Sequence, residues 1–195
     1  MQKITTLFIF LFLVCAASYA QQYSVTVNYV KTDGSHNPSL IFYDDTYKLK
    51  WDDFKAPPCS DCIEAALTNA GSGFNFAFSS NETKTTLIIQ VFCDFDKSQS
   101  WVKPIGRNDY ILKHEQDHFD ISYICTMHFV EKLQEANITA SNYNDVVNKL
   151  YQQSIKEMKD MQDQYDTETN HSLIKDKQEQ WNAKIEAELA ALKNN

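Results

Sequence analysis

An α+β fold is what this sequence predicts, with an N-terminal antiparallel sheet followed by a buried helix and two further helices. Three observations carry that expectation. Residues 23–29 alternate with the period of a half-buried strand, residues 74–92 read as a β-hairpin, and from about Ile105 onward apolar residues recur at helical spacing.

Taken in chain order, Lys3 precedes an unbroken apolar run from Ile4 to Val14 and then small residues ending Ser18-Tyr19-Ala20. That is the layout of a signal peptide, residues 1–20, cleaved after Ala20, so the expected location is secreted or periplasmic. Cys15 offers the alternative of a lipid anchor, against which the bulky Val14 before it argues. The run is too short to span a bilayer, no later stretch approaches about 20 apolar residues, and no transmembrane segment is expected. Residues 21–195 then suit a single domain. A formal net charge of −8 argues against nucleic acid as a partner.

Tyr23, Val25, Val27 and Tyr29 face one way and Ser24, Thr26 and Asn28 the other, which is the first strand. Tyr47 to Phe54 supplies another, and Pro57-Pro58 leads into a stiff loop carrying Cys59 and Cys62. With Cys93 and Cys125 these make an even set in an exported chain, which predicts disulfides of undetermined pairing rather than a second metal site. Phe74–Phe78 and Thr83–Phe92 form the hairpin around Ser79-Ser80-Asn81-Glu82. A first helix is predicted over about Asn108 to Glu135, buried because Phe119, Ile121, Ile124, Met127 and Phe129 cover most of its sides. A second carries Val147, Leu150, Tyr151, Met158 and Met161, and a third Ile174, Trp181, Ile185, Leu189 and Leu192, with the polar turn Asp166–Ser172 between them.

The chemistry is concentrated in His114-Glu115-Gln116-Asp117-His118. Residues four apart share a helix face, so His114 and His118 can aim at one metal with Glu115 beside them. Two neutral imidazoles, an open position for water and a nearby carboxylate are what a hydrolytic Zn²⁺ site needs, with Glu115 as general base. Catalytic zinc ordinarily takes a third protein ligand. His128 lies ten residues beyond His118, roughly 15 Å along the axis, and is too far; Glu131 fails likewise, and His36 falls in a distant polar turn. An antiparallel second helix returns the chain to the right end of the first, which favours His171, with Asp166 and Glu168 in the same turn as alternatives. Tyr165 is a candidate donor to an oxyanion, and Asp117 and Asp120 are candidate acceptors for the imidazoles. The function expected is hydrolysis of peptide or protein substrates in a zincin-like domain. The alternatives are a secreted zinc-containing binding domain without turnover, and a disulfide-stabilised interaction domain in which the histidine spacing is coincidence.

Ser100-Trp101-Val102-Lys103, Leu112-Lys113-His114-Glu115-Gln116-Asp117-His118-Phe119-Asp120-Ile121, Tyr165-Asp166-Thr167-Glu168-Thr169-Asn170-His171-Ser172 and Gln178 to Trp181 together resemble the predicted secreted zinc-dependent protease family, a bacterial domain of otherwise unknown function. The resemblance runs from about Trp51 to Trp181. It implies a zincin-like fold, Zn²⁺ and, through the Tyr-Asp-x-Glu-Thr-x-His segment, His171 as a ligand. Asp117 stands where that family usually has glycine, and Tyr123 and Thr126-Met127 where an acidic residue and an Ala-Arg pair are common.

Overall fold

The computed structural model describes residues 22–193; the expected signal peptide and Cys15 lie outside the described residues. The strands are β1 (Gln22–Tyr29), β2 (Leu40–Phe42), β3 (Ala66–Leu67), β4 (Ala70–Ser80), β5 (Lys84–Asp96) and β6 (Trp101–Val102), followed by helices α1 (Asp109–Glu135), α2 (Tyr143–Thr169) and α3 (Lys175–Leu192).

β5 is the axis of the main sheet. Its alternate residues Leu87, Ile89, Val91, Cys93 and Phe95 are all fully buried, and burial of a large apolar side chain stabilises by about 1.5–3 kcal/mol. The predicted hairpin forms: β4 pairs antiparallel along one edge of β5, from Ala70 opposite Phe95 to Ser80 opposite Thr85. Its turn is held by Asn81, whose Oδ1 accepts from the backbone N–H groups of Thr83 and Lys84. The other edge is shared end to end by β1, from Gln22 opposite Lys84 to Tyr29 opposite Val91, and β2, at Asp94 to Asp96. β1 runs parallel to β5, so the expected all-antiparallel sheet is in fact mixed. The reason is connectivity: β1 reaches β5 only after β2, β3 and β4 have intervened, and a long crossover allows parallel pairing where a hairpin does not.

Residues 47–54 do not form the expected strand; they end in a short 3-10 turn, Trp51–Asp53. Both edges of β5 are taken, so this segment has no ladder to join, and its donors go to local turn carbonyls and to side chains. Leu49 N–H donates to Gln116 Oε1 at 2.8 Å, while Lys50 N–H and the Tyr47 hydroxyl both donate to Asp53.

α1 lies between the sheet and the other two helices. Phe129, Val130 and Leu133 pack on Leu87, Ile89 and Val91, Phe119 on Tyr43, Phe54 and Phe95, and on the opposite side Ile121, Ile124 and Cys125 meet Met158, Tyr165, Trp181 and Ile185. This burial on most sides is the one its apolar composition predicts. It also separates two cysteines: Cys93 is on the sheet side and Cys125 on the helix side, both free and buried, so among the described residues the one disulfide is Cys59–Cys62. No helix among the described residues is long and apolar enough to cross a membrane.

Candidate metal centre

α1 begins where Asn108 Oδ1 accepts from the Ile111 N–H, a side-chain cap that places His114 one turn inside the helix. α2 runs back antiparallel. Lys132 pairs with Glu157, the Ser154 hydroxyl reaches the Cys125 carbonyl, and Gln162 and Asp166 arrive at His118. α2 extends to Thr169, so Asp166 to Thr169 belong to the helix and not, as the sequence suggested, to the turn after it. Asn170, His171 and Ser172 then adopt consecutive left-handed conformations, with φ of 48°, 52° and 69°. Each is costly for a residue with a Cβ, and the bend is secured by the His171 N–H on the Asp166 carbonyl and the Ile174 N–H on the Thr169 carbonyl.

At this junction three atoms converge. His118 Nε2 lies 3.2 Å from His114 Nε2, and Asp166 Oδ1 lies 3.2 Å from the first histidine's Nε2 and 3.1 Å from the second's. Tetrahedral zinc with ligands at about 2.0–2.1 Å holds ligand atoms about 3.3–3.4 Å apart, so the triangle has the size such an ion needs. His114, His118 and Asp166 are a group able to hold a metal ion.

The histidine tautomers follow from the glutamines behind them. Gln162 Nε2 donates to the His118 carbonyl at 2.8 Å, a partner that only accepts, so its Oε1 faces His118 Nδ1 and requires a proton there. Gln178 Nε2 donates in the same way to Asp117 Oδ2 at 3.2 Å, leaving its Oε1 2.9 Å from His114 Nδ1. With both Nδ1 atoms protonated, both Nε2 atoms carry lone pairs, and these point at each other and at a carboxylate oxygen. Three electron-pair donors in contact need a cation among them. Without a metal the proton fills that role: burial pushes His118 down, but the hydrogen bond and charge of Asp166 outweigh it and raise its pKa, while the histidines hold Asp166 below the usual carboxylate range despite its burial.

Glu115, almost fully buried, lines the same cleft as His114, His118, Asp166 and His171, and its Oε2 accepts from the Thr68 hydroxyl at 2.7 Å. His171, favoured from sequence as the third ligand, stands one position further out: its Nδ1 is 3.5 Å from Asp166 Oδ1, and it is that carboxylate oxygen, the alternative from the same segment, that completes the triangle. Glu168, the other alternative, points away and accepts from the Trp181 indole N–H and Gln164.

Tyr165 is not at the cleft. Fully buried, it stacks on the His114 ring at 4.7 Å, packs against Trp181, and keeps its hydroxyl in contact with Gln178 Nε2, Asp117 Oδ2 and the His114 carbonyl. Burial and the neighbouring Asp117 push its pKa up, and its hydroxyl is turned toward α1 and α3 and not into the cleft, where the expected oxyanion donor would stand.

Asp117 and Asp120 also differ from expectation, since neither touches an imidazole. Asp117, wholly buried, is raised by desolvation but countered by the Lys113 ammonium one turn earlier. Asp120 Oδ1 accepts from the Tyr43 hydroxyl and Gln116 Nε2, tying α1 to the segment after β2. The imidazole partners that sequence reasoning missed are Gln162 and Gln178. The signal for the first was present, because Gln162 precedes Asp166 by four and shares its helix face as His114 does with His118; for Gln178, which arrives from α3, spacing offered none, and its place in the Gln178 to Trp181 motif was the signal.

Residues 98–172 match a family described as a bacterial protein of unknown function, DUF922. The match spans all three candidate ligands, Glu115, Gln162 and His171, and stops before α3. No curated protein and no solved structure matches the chain.

Proposed function

We propose that this protein is an exported zinc-dependent hydrolase of peptide or protein substrates, with the zincin-like organisation expected from its sequence, in which His114, His118 and Asp166 hold Zn²⁺ and Glu115 is the general base. The observation that carries the reading is the convergence of two imidazole lone pairs and a carboxylate oxygen at 3.1–3.2 Å beside a second, separately anchored carboxylate. Zn²⁺ supplies a Lewis acid that polarises a substrate carbonyl and stabilises the charge growing on its oxygen. Gln162 and Gln178 keep the imidazoles turned so that Nε2 faces the cleft, which spares the reorientation a free side chain would need. Thr68 occupies one oxygen of Glu115 and leaves the other to take the proton of the attacking water and pass it to the leaving nitrogen. His171, at the cleft and behind Asp166, is the side chain positioned to donate to the carbonyl oxygen in the role that the buried Tyr165 does not fill.

The decisive measurement is the zinc-to-protein ratio of residues 21–195 after reconstitution, by elemental analysis. About one zinc per chain is expected, lost in His114→Ala, His118→Ala and Asp166→Ala and kept in His171→Ala and Glu115→Gln. Glu115→Gln should also lower peptide turnover by about 10²–10⁴-fold. A protein that binds no zinc sinks the proposal, and unchanged turnover in Glu115→Gln removes that residue from the mechanism.

A further inference from the structure

The large apolar side chains left exposed are not scattered. Among the described residues they are Ile63, Leu67, Phe78, Ile105, Tyr110, Leu173 and Ile174. Phe78 lies beside Tyr143, at the end of α2 remote from the cleft. Of the other six, Leu67 lines the metal cleft and the rest lie on segments that line it or touch its lining.

On one bank, Ile63 precedes Glu64, which lines the cleft, and Leu67 is itself in the lining on β3. Ile105 joins them because Gly106 lies against Ala65, so close that a Cβ there would sit 2.7 Å from the Ala65 carbonyl oxygen. On the other bank the Tyr110 hydroxyl donates to the Ser172 carbonyl at 2.7 Å, and Leu173 and Ile174 follow directly. Ile63, Ile105 and Leu173 are 87, 85 and 75 % exposed. Single exposed apolar residues are ordinary, but a cluster of them at one site marks a binding surface.

The rim is also held rigid. The Cys59–Cys62 disulfide closes the loop just before Ile63, the Lys103 ammonium donates to the Cys62 carbonyl, and the left-handed bend at residues 170–172 fixes the start of the opposite bank. Groups ordered before binding lose less freedom on binding.

We infer that this apolar rim selects extended polypeptide segments carrying bulky apolar side chains on either side of the bond presented to the metal. Cleavage of the bond presented to the metal rests on the hydrolase reading; the binding preference does not. Two features favour a polypeptide as the occupant. The cleft encloses only about 260 Å³, less than pockets that engulf a small ligand, so most of a ligand lies across the rim. Among the described residues β3 is paired along one edge, by β6, and its two residues line the cleft, so its other edge is offered to an extended chain.

The test uses zinc-loaded Glu115→Gln protein, so that binding is read without cleavage. Two fluorescein-labelled, unstructured decapeptides are titrated by anisotropy, one with four central leucine and phenylalanine residues and one with serines in their place. The apolar peptide is expected to bind at least tenfold tighter. That preference should vanish when Ile63→Ser, Ile105→Ser and Leu173→Ser are combined, with zinc content and Tm unchanged. Equal binding of the two peptides, or a preference that survives the triple substitution, overturns the inference. So does rim-dependent co-sedimentation with phosphatidylglycerol vesicles in place of peptide binding, which would assign the rim to a lipid surface. A wild-type protein that shows the peptide preference but cleaves neither peptide nor a denatured protein would refute the hydrolase reading and leave the rim assignment standing.

Discussion

The two halves of α1 both bury most of their residues and differ in chemistry. From His114 to Ser122 its hidden residues include His114, Glu115, Gln116, Asp117, Asp120 and Ser122, whereas from Ile124 to Leu133 they are mainly Ile124, Cys125, Phe129, Val130 and Leu133. A buried polar group costs free energy unless it is hydrogen-bonded, so the first half is tolerated only because partners come from every neighbouring element: Thr68 to Glu115, Leu49 to Gln116, Tyr43 to Asp120, Gln162 to His118 and Gln178 to His114. The second half needs mainly shape, which the sheet supplies on one side and α2 and α3 on the other. One half of the helix thus holds the fold together and the other spends that stability on a site.

The contrast can be broken most severely from the apolar side. Phe129→Ala removes a fully buried ring that touches Phe74 and Tyr151, and urea denaturation should show a loss of about 3–5 kcal/mol while zinc stoichiometry of the folded fraction stays at one. Zinc loss from that folded fraction would mean that the two halves are not separable. From the polar side, Gln162→Met keeps the volume but withdraws the acceptor from His118 Nδ1. Zinc affinity by chelator competition should fall about 10–100-fold, with little change in urea midpoint; an unchanged affinity would show that Gln162 does not orient the imidazole.

A smaller effect tests what a carboxylate costs without such a network. Asp94 on β5 is raised to about 6 by burial and then by the charges of Asp33 and Asp96. Because its pKa is higher folded than unfolded, its contribution is fully present below about pH 4 and is lost as pH rises through 6. Asp94→Asn should therefore raise Tm at pH 8 and not at pH 4, and an equal shift at both would assign the effect to something other than this ionisation. Smallest of all, Ser172→Gly relieves one left-handed residue; about 1–2 kcal/mol of strain is removed against about 0.5–1 kcal/mol of added chain entropy, so Tm should rise slightly, and a lower Tm would show that the Ser172 side chain matters more to the bend than its backbone strain.

How much of this was legible in the sequence depended on the range of the interaction. Period alone located α1 to within a residue, the β4–β5 hairpin, and the apolar stripes of α2 and α3, because amphipathic spacing is a local record of which face is covered. The i, i+4 histidines and the glutamate between them were visible for the same reason. The parallel pairing of β1, the absence of a strand at residues 47–54 and the isolation of Cys93 from Cys125 were not, since each depends on which edge or side of another element is already occupied.

The sequence by itself determined an α+β chain, a buried helix and two imidazoles on one face of it, all consequences of backbone periodicity. Only the tertiary structure decided that Asp166 and not His171 completes the triangle, that glutamines and not aspartates turn the histidines, and that Tyr165 faces inward. Those outcomes hinge on α2 continuing one turn further than its composition announced and on α3 folding back across His114, and a helix's end and its neighbours are set by packing rather than by the residues within it.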